Sequence, residues 1–129
     1  MQFIADLHIH SYLSRATAKN LNLEHLNLWA QLKGITVLGT GDFTHPRWFS
    51  ELRNKLEPAE DGLFKLKPDF ATQGPHPVPP SCEGLVRFML SVEISSIYKQ
   101  AGKTRKVHNV VLVPNFELAE KFNQRRRRW

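Results

Sequence analysis

The chain has 129 residues, of which 41% are hydrophobic and 23% are charged, a composition typical of one soluble globular unit and not of a disordered chain. Its longest aliphatic run, residues 110–113, is far shorter than the roughly 20 apolar residues of a membrane span. Because the start also lacks the pattern of a secretory signal, and Cys82 is the only cysteine, we expect a cytoplasmic protein with no membrane contact and no internal disulfide.

The positive charge is concentrated at one end of the chain. The formal net charge is +6, and Arg125 to Arg128 alone supply four positive charges. Such a block can contact phosphates without sequence preference, but it is equally typical of a solvated terminus. We therefore divide the chain into a folded unit, residues 1–124, and a basic tail, residues 125–129.

The predicted elements alternate between strands and helices, which is typical of an α/β fold. A first strand ends near His10, and a helix follows Asn22, whose side chain suits the N-cap position. Gly34 suits the left-handed cap at the end of this helix. A buried strand over residues 35–38 then leads into a Gly-Thr-Gly turn at residues 39–41.

The second half of the chain is predicted to continue this alternation. A second helix begins at Pro46 and ends near Lys55. Residues 57–87 are less regular: a short alternating stretch at residues 63–67 precedes a proline-rich segment, and we predict a long surface excursion here. The remaining expected elements are a third strand at residues 88–94, a fourth strand at residues 107–113 and a last helix from Phe116 to about Gln124.

In alternating folds of this kind, functional groups collect at the carboxyl edge of the sheet. His8 and His10 are spaced so that, in a strand, both imidazoles point to the same side. Asp42 and His45 follow the second strand, and Glu93 lies near the end of the third. Imidazoles and carboxylates from three strand ends would form a mixed nitrogen and oxygen site suited to zinc, manganese or iron.

Each of these residues also has a structural interpretation. The histidine pair can face water on an edge strand, and Asp42 can cap the second helix. His45 can be a surface loop residue, and Glu93 can be a solvated charge, although its apolar neighbours suggest a buried strand. In a parallel sheet, His108 would begin its strand at the end away from the site, so we predict a structural histidine there.

Short strings at residues 6–11, 34–42 and 92–94 resemble the polymerase and histidinol phosphatase (PHP) superfamily. Longer strings at residues 39–46, 56–63, 93–98 and 106–114 most resemble endonuclease Q and its relatives. The resemblance implies a distorted (β/α)7 barrel with mainly parallel strands, flanking helices and a metal cluster that hydrolyses phosphoesters. For endonuclease Q it implies cleavage of DNA beside deaminated bases.

The resemblance also assigns metal binding to five residues: His8, His10, Glu93, Asp42 and His45. Asp42 and His45 are in addition the candidate catalytic groups for proton transfer. Many members carry an acidic or polar ligand where this chain has Ala16, and Thr-Asp-His where it has Gly-Asp-Phe at residues 41–43, so one ligand is lost and another is displaced. Because such a barrel takes about 250 residues, we expect an amino-terminal fragment whose own activity is open.

We therefore expect part of a metal-dependent phosphoesterase that acts on DNA, with two or more zinc, manganese or iron ions in the full-length protein. Two such ions can activate water and hold the phosphate oxygens during in-line attack. Two alternatives stay open: a non-catalytic fragment that binds nucleic acid, and a phosphomonoesterase of the histidinol phosphatase type. The oligomeric state is also open.

Overall fold

The computed structural model describes residues 1–15 and 17–126. Ala16, where the resemblance implies a lost ligand, lies outside these residues, as do the last three residues of the basic tail. The strands are β1 (Ala5–Asp6), β2 (Val37–Gly39), β3 (Leu56–Pro58), β4 (Phe64–Leu66), β5 (Arg87–Gln100) and β6 (Lys103–Val113). The α-helices are α1 (Leu23–Lys33), α2 (Pro46–Lys55), α3 (Pro68–Ala71) and α4 (Phe116–Arg126). None of these helices is long and apolar enough to cross a membrane.

The strands form one mixed sheet with helices packed against it. β1, β2 and β5 pair in parallel, and Leu38 of β2 lies opposite both Asp6 and Phe88. β4 and β3 continue the sheet in antiparallel pairing beyond β5, and β6 also pairs with β5 in the antiparallel direction. The predicted α/β fold with flanking helices is confirmed, and the sheet is mixed because β3–β4 and β5–β6 form hairpins and β4 also pairs with β5 in the antiparallel direction.

The caps of α1 and α2 explain why the bounds of these helices were predictable. The side chain of Asn22 accepts a hydrogen bond from the backbone N–H of His25 at 2.9 Å. Gly34 adopts φ 70° and donates its N–H to carbonyls in the last turn of α1. α2 begins at Pro46 and ends at Lys55, as predicted. Each signal is local, because a cap involves only residues within one turn.

The prediction of a surface excursion over residues 57–87 is wrong for its first part. β3 and β4 lie within it, and Phe64 and Leu66 point into the core. Phe64 pairs with Phe88 on β5, so the pairing partner of β4 is distant in the sequence. Residues 67–86 are largely exposed and contain only α3 and a 3₁₀ turn at Pro80–Cys82.

The buried side chain of Trp48 connects α2 to the loop that follows β2. Trp48 and Phe88 are fully buried, and burial of such aromatic side chains dominates the stability of a small core. The indole N–H of Trp48 donates to the carbonyls of Thr40 and Gly41, at 3.1 and 3.0 Å. The backbone that leads to Asp42 is therefore fixed from the core side.

β5 and β6 form a long antiparallel hairpin. Ala101 and Gly102 join the two strands with φ values of 50° and 72°, and positive φ at both residues is typical of the tight turn that matches strand twist. Both strands are longer than predicted, because their paired halves extend to this turn. The predicted position of His108 is wrong: β6 runs back along β5, so His108 lies opposite Ser95 and close to Glu93.

Candidate metal centre

His8 and His10 lie in irregular backbone that follows β1, since this strand ends at Asp6. The prediction that the first strand extends to His10 is therefore wrong. Just after His10, the backbone N–H of Ser11 donates to the side chain of Asp42, at 2.7 Å, instead of to a neighbouring strand. The two imidazoles nevertheless face one volume, with ring centroids 5.6 Å apart.

Two glycines at the end of β2 position the segment that carries these histidines. A Cβ atom at Gly39 would lie 2.5 Å from the carbonyl oxygen of Leu7, and one at Gly41 would clash with the carbonyl oxygen of Ile9. Gly41 also has φ 62°, which other residues rarely adopt. The Gly-Thr-Gly motif thus allows close backbone approach as well as a turn.

The two imidazoles converge on the carboxylate of Glu93. Nε2 of His8 lies 3.0 Å from Oε2 of Glu93, and Nε2 of His10 lies 3.1 Å from the same oxygen. The possible ligand atoms of the three residues all lie within 4.8 Å of one another. The side chain of Glu93 is 15% exposed, against 54% for His8 and 36% for His10. The carboxylate is therefore the shielded member, and the rings line the opening above it.

His108 contacts the second oxygen of the same carboxylate through Nδ1. Residues 93 and 108 share one face of the hairpin, since His108 is opposite Ser95 and Ser95 is two positions from Glu93. Sequence reasoning placed His108 outside the site because it assumed a parallel strand. The available signal was Gly102 between two strand-like stretches, because glycine at such a place indicates a turn.

These contacts set the charge of Glu93. Hydrogen bonds with His8 and then with His108 lower the pKa of Glu93 to about 2, and they outweigh the opposing effect of desolvation. The carboxylate is therefore ionised at neutral pH, and both of its oxygens face imidazole nitrogens. An ionised carboxylate can only accept hydrogen bonds or bind a cation.

Asp42 lies on the other side of His10. Its Oδ1 is 3.3 Å from Nδ1 of His10, and its Oδ2 accepts hydrogen bonds from the N–H and hydroxyl of Ser11 and from the hydroxyl of Ser14, at 2.7, 2.7 and 2.8 Å. Burial alone would raise the pKa of Asp42, but these hydrogen bonds lower it below its usual value. The helix-cap interpretation of Asp42 is wrong, since the N-cap of α2 is His45.

His45 is separate from the histidine and glutamate group. It is the N-cap residue of α2 and lines a groove of about 250 Å³ together with Ser14, Asp42 and Arg126. Among the described residues, those whose ligand atoms converge are His8, His10 and Glu93. The assignments of Asp42 and His45 as ligands or as catalytic groups stay predictions.

The donor set fits a divalent cation. Two ligands of one zinc ion, each about 2.1 Å from the metal, lie about 3.4 Å apart in tetrahedral geometry. The Nε2 to Oε2 distances of 3.0 and 3.1 Å are close to this separation. His10 also contacts a carboxylate through its other ring nitrogen, as metal-binding histidines usually do. The chemistry of the donors supports divalent metal use without selecting among zinc, manganese and iron.

Comparisons with known proteins show which solved structures this chain is similar to. No family model matches the chain. Over 48 residues it is 46% identical to an uncharacterized protein of Methanocaldococcus jannaschii, a match that covers 37% of this chain and 6% of that protein. The chain is also similar to the lesion-specific endonuclease Q of Pyrococcus furiosus, with a TM-score of 0.69 and 26% identity. A structure of endonuclease Q with a 27-mer duplex substrate, holding an abasic lesion at its active site, gives a TM-score of 0.68 and the same identity.

Coverage in these structural matches is unequal. Both cover 95% of this chain but only 25% of the endonuclease Q chain, so the chain spans about a quarter of the length of these solved structures. The sequence identity and the shared mixed α/β fold together support an endonuclease Q-like relationship for the part of the chain that the structure describes.

Proposed function

We propose that this chain supplies part of the active centre of a metal-dependent DNA phosphodiesterase similar to endonuclease Q. The observation that carries the proposal is the convergence of His8, His10 and Glu93 on one small volume. The similarity over 95% of the chain to a lesion-specific endonuclease supports DNA as the substrate. A PHP-type barrel, action beside deaminated bases and the need for two or more ions are finer parts of the same proposal.

The proposed roles follow from the contacts. His8, His10 and Glu93 would hold the divalent cation. A bound divalent ion lowers the pKa of water and neutralises charge on phosphate oxygens. His108 holds the remaining oxygen of Glu93 and thereby fixes the rotation of the carboxylate. His45 is proposed to move a proton, from its position beside the Asp42 loop.

Asp42 is proposed to act as a positioning residue. If Nδ1 of His10 donates to Asp42, the free lone pair of the ring is on Nε2, the atom that faces Glu93. Asp42 holds φ 49°, a conformation that asparagine and aspartate tolerate better than other residues with side chains. The carboxylate thus both orients the ring and holds the Ser11–Ser14 turn against the loop that follows β2.

Replacing Asp42 by asparagine should leave the fold intact, because asparagine tolerates the same backbone conformation. We expect the affinity for zinc to fall by about 10- to 100-fold, since loss of a carboxylate behind a metal-bound histidine has this effect. Zinc titration against a competing chelator measures the change. Asp61→Asn, at an exposed turn, is the matched control and should bind zinc like the parent protein.

The reaction itself can be tested with the purified full-length protein and labelled DNA duplexes that contain an abasic site, a deaminated base or no lesion. We expect cleavage that requires manganese or zinc, stops with EDTA and falls by roughly 100-fold or more in His10→Ala. His76→Ala, in the exposed proline-rich segment, is the matched control. Cleavage that persists in EDTA, or that is equal in His10→Ala and the parent protein, would contradict the proposal.

A phosphomonoester substrate in the same assay separates the proposed reaction from its alternative. A protein of the histidinol phosphatase type would release phosphate from the monoester faster than it cuts DNA. Metal-independent DNA binding without cleavage of either substrate would instead support the non-catalytic interpretation.

A further inference from the structure

The distal half of the β5–β6 hairpin is strongly basic and exposed. Four basic residues lie within residues 95–108: Lys99, Lys103, Arg105 and Lys106. No aspartate or glutamate occurs between Glu93 and Glu117, and all of residues 95–108 are exposed. None of the four basic side chains forms an ion pair with another residue that the structure describes. Their charge is therefore available to an anionic partner.

The register divides these four charges between the two faces of the hairpin. Ser95 pairs with His108, Ile97 with Lys106 and Lys99 with Thr104, so Lys106 and Lys99 are on the face of Glu93 and His108. Tyr98 pairs with Arg105 and Gln100 with Lys103, which places Arg105 and Lys103 on the opposite face. Each face carries two basic residues, but only one face also carries the candidate metal centre.

Both lysines lie within the length of a short duplex that starts at the candidate metal centre. Strands rise by about 3.3 Å per residue, so Lys106, opposite Ile97, lies about 13 Å from Glu93, and Lys99 lies about 20 Å away. Duplex DNA advances about 3.4 Å per base pair, so these distances correspond to about four and about six base pairs. A duplex held at the candidate metal centre and running along this face would meet both lysines.

We propose that Lys106 and Lys99 form a cationic track that binds the phosphate backbone of duplex DNA on one side of the cleavage point. This inference rests on the proposed function for its substrate, but it assigns a separate binding surface to residues outside the metal centre. The contacts would position the duplex without reading its sequence, since ammonium groups bind phosphates as point charges. The opposite face, with Lys103 and Arg105, would stay in solvent.

Two double variants with equal loss of charge test the assignment. Lys99→Gln/Lys106→Gln alters the track, and Lys103→Gln/Arg105→Gln alters the opposite face of the same hairpin. Binding of a fluorescent, lesion-free duplex of about 20 base pairs is measured from 50 to 200 mM salt in EDTA, so that neither cleavage nor bound metal contributes. Circular dichroism checks that both variants keep the fold.

We expect the plot of log K against log salt to be less steep for the track variant, by about 1.8 in slope, which corresponds to two lost phosphate contacts. The track variant should also bind the duplex at least about tenfold more weakly at 100 mM salt. The opposite-face variant should change the slope by less than half as much. Equal losses in both variants, or no loss in the track variant, would overturn the track. Failure of the proposed function would appear differently, as absence of metal-dependent cleavage while the contrast between the two faces persists.

Discussion

Replacing Glu93 by glutamine is expected to weaken zinc or manganese binding by roughly 100-fold or more and to abolish metal-dependent cleavage. The change keeps the shape of the side chain but removes its charge. Oε2 faces both His8 and His10, at 3.0 and 3.1 Å, and Oε1 faces His108. Glutamine cannot present two anionic oxygens to these rings, so a cation between them loses its only carboxylate neighbour in the convergent group.

The measurement is a zinc titration with a competing chelator, together with metal analysis of the purified variant. Glu57→Gln is the matched control, because Glu57 is also a strand carboxylate with a charged partner, Lys65 at 3.2 Å, but it lies on β3. Its metal affinity should equal that of the parent protein. Equal affinities in Glu93→Gln and Glu57→Gln would remove Glu93 from the metal centre.

Gly41→Ala is expected to be the most disruptive change of a single methyl group. Alanine at φ 62° costs about 1–2 kcal/mol from the left-handed backbone alone. The added Cβ would also meet the carbonyl oxygen of Ile9, a backbone atom that can move only with the segment between His8 and His10. We expect a total loss of about 3 kcal/mol or more, with weaker metal binding in any molecules that fold.

Gly34→Ala separates the two causes, since Gly34 has a similar φ of 70° but open space around its Cβ position. Urea unfolding of both variants measures the free energy of unfolding. The Gly34 variant should lose only the conformational part, about 1–2 kcal/mol, and bind metal normally. Similar stability losses in the two variants would show that close approach of the histidine segment to β2 is unimportant.

The parts of the fold that were predictable are those fixed by neighbouring residues. Asn22, Gly34 and Pro46 mark helix ends because a cap is satisfied within one turn. The end of β1 was not predictable in this way. The segment after Asp6 lies outside strand pairing, and its neighbours are distant in the sequence: Gly39, Gly41 and the carboxylate of Asp42.

The candidate site was predictable only as far as it depends on residue type. Two imidazoles and a carboxylate at the ends of successive elements indicated His8, His10 and Glu93, and the structure brings these residues together. His108 was missed because its place depends on strand direction, which the hydrophobic pattern of residues 107–113 does not encode. The pairing of Phe64 with Phe88 was missed because the partner strand of β4 is distant in the sequence.

The Ala101–Gly102 turn has a consequence for the chemistry despite its distance from it. Strand side chains alternate, so a slip of β6 by one residue against β5 would turn His108 and Lys106 away from the face of Glu93 and bring Lys103 and Arg105 onto it. The two-residue turn at the tip of the hairpin thus sets the register of β5 and β6. Insertions there, which exposed loops ordinarily tolerate, would misalign both the metal centre and the phosphate contacts at once.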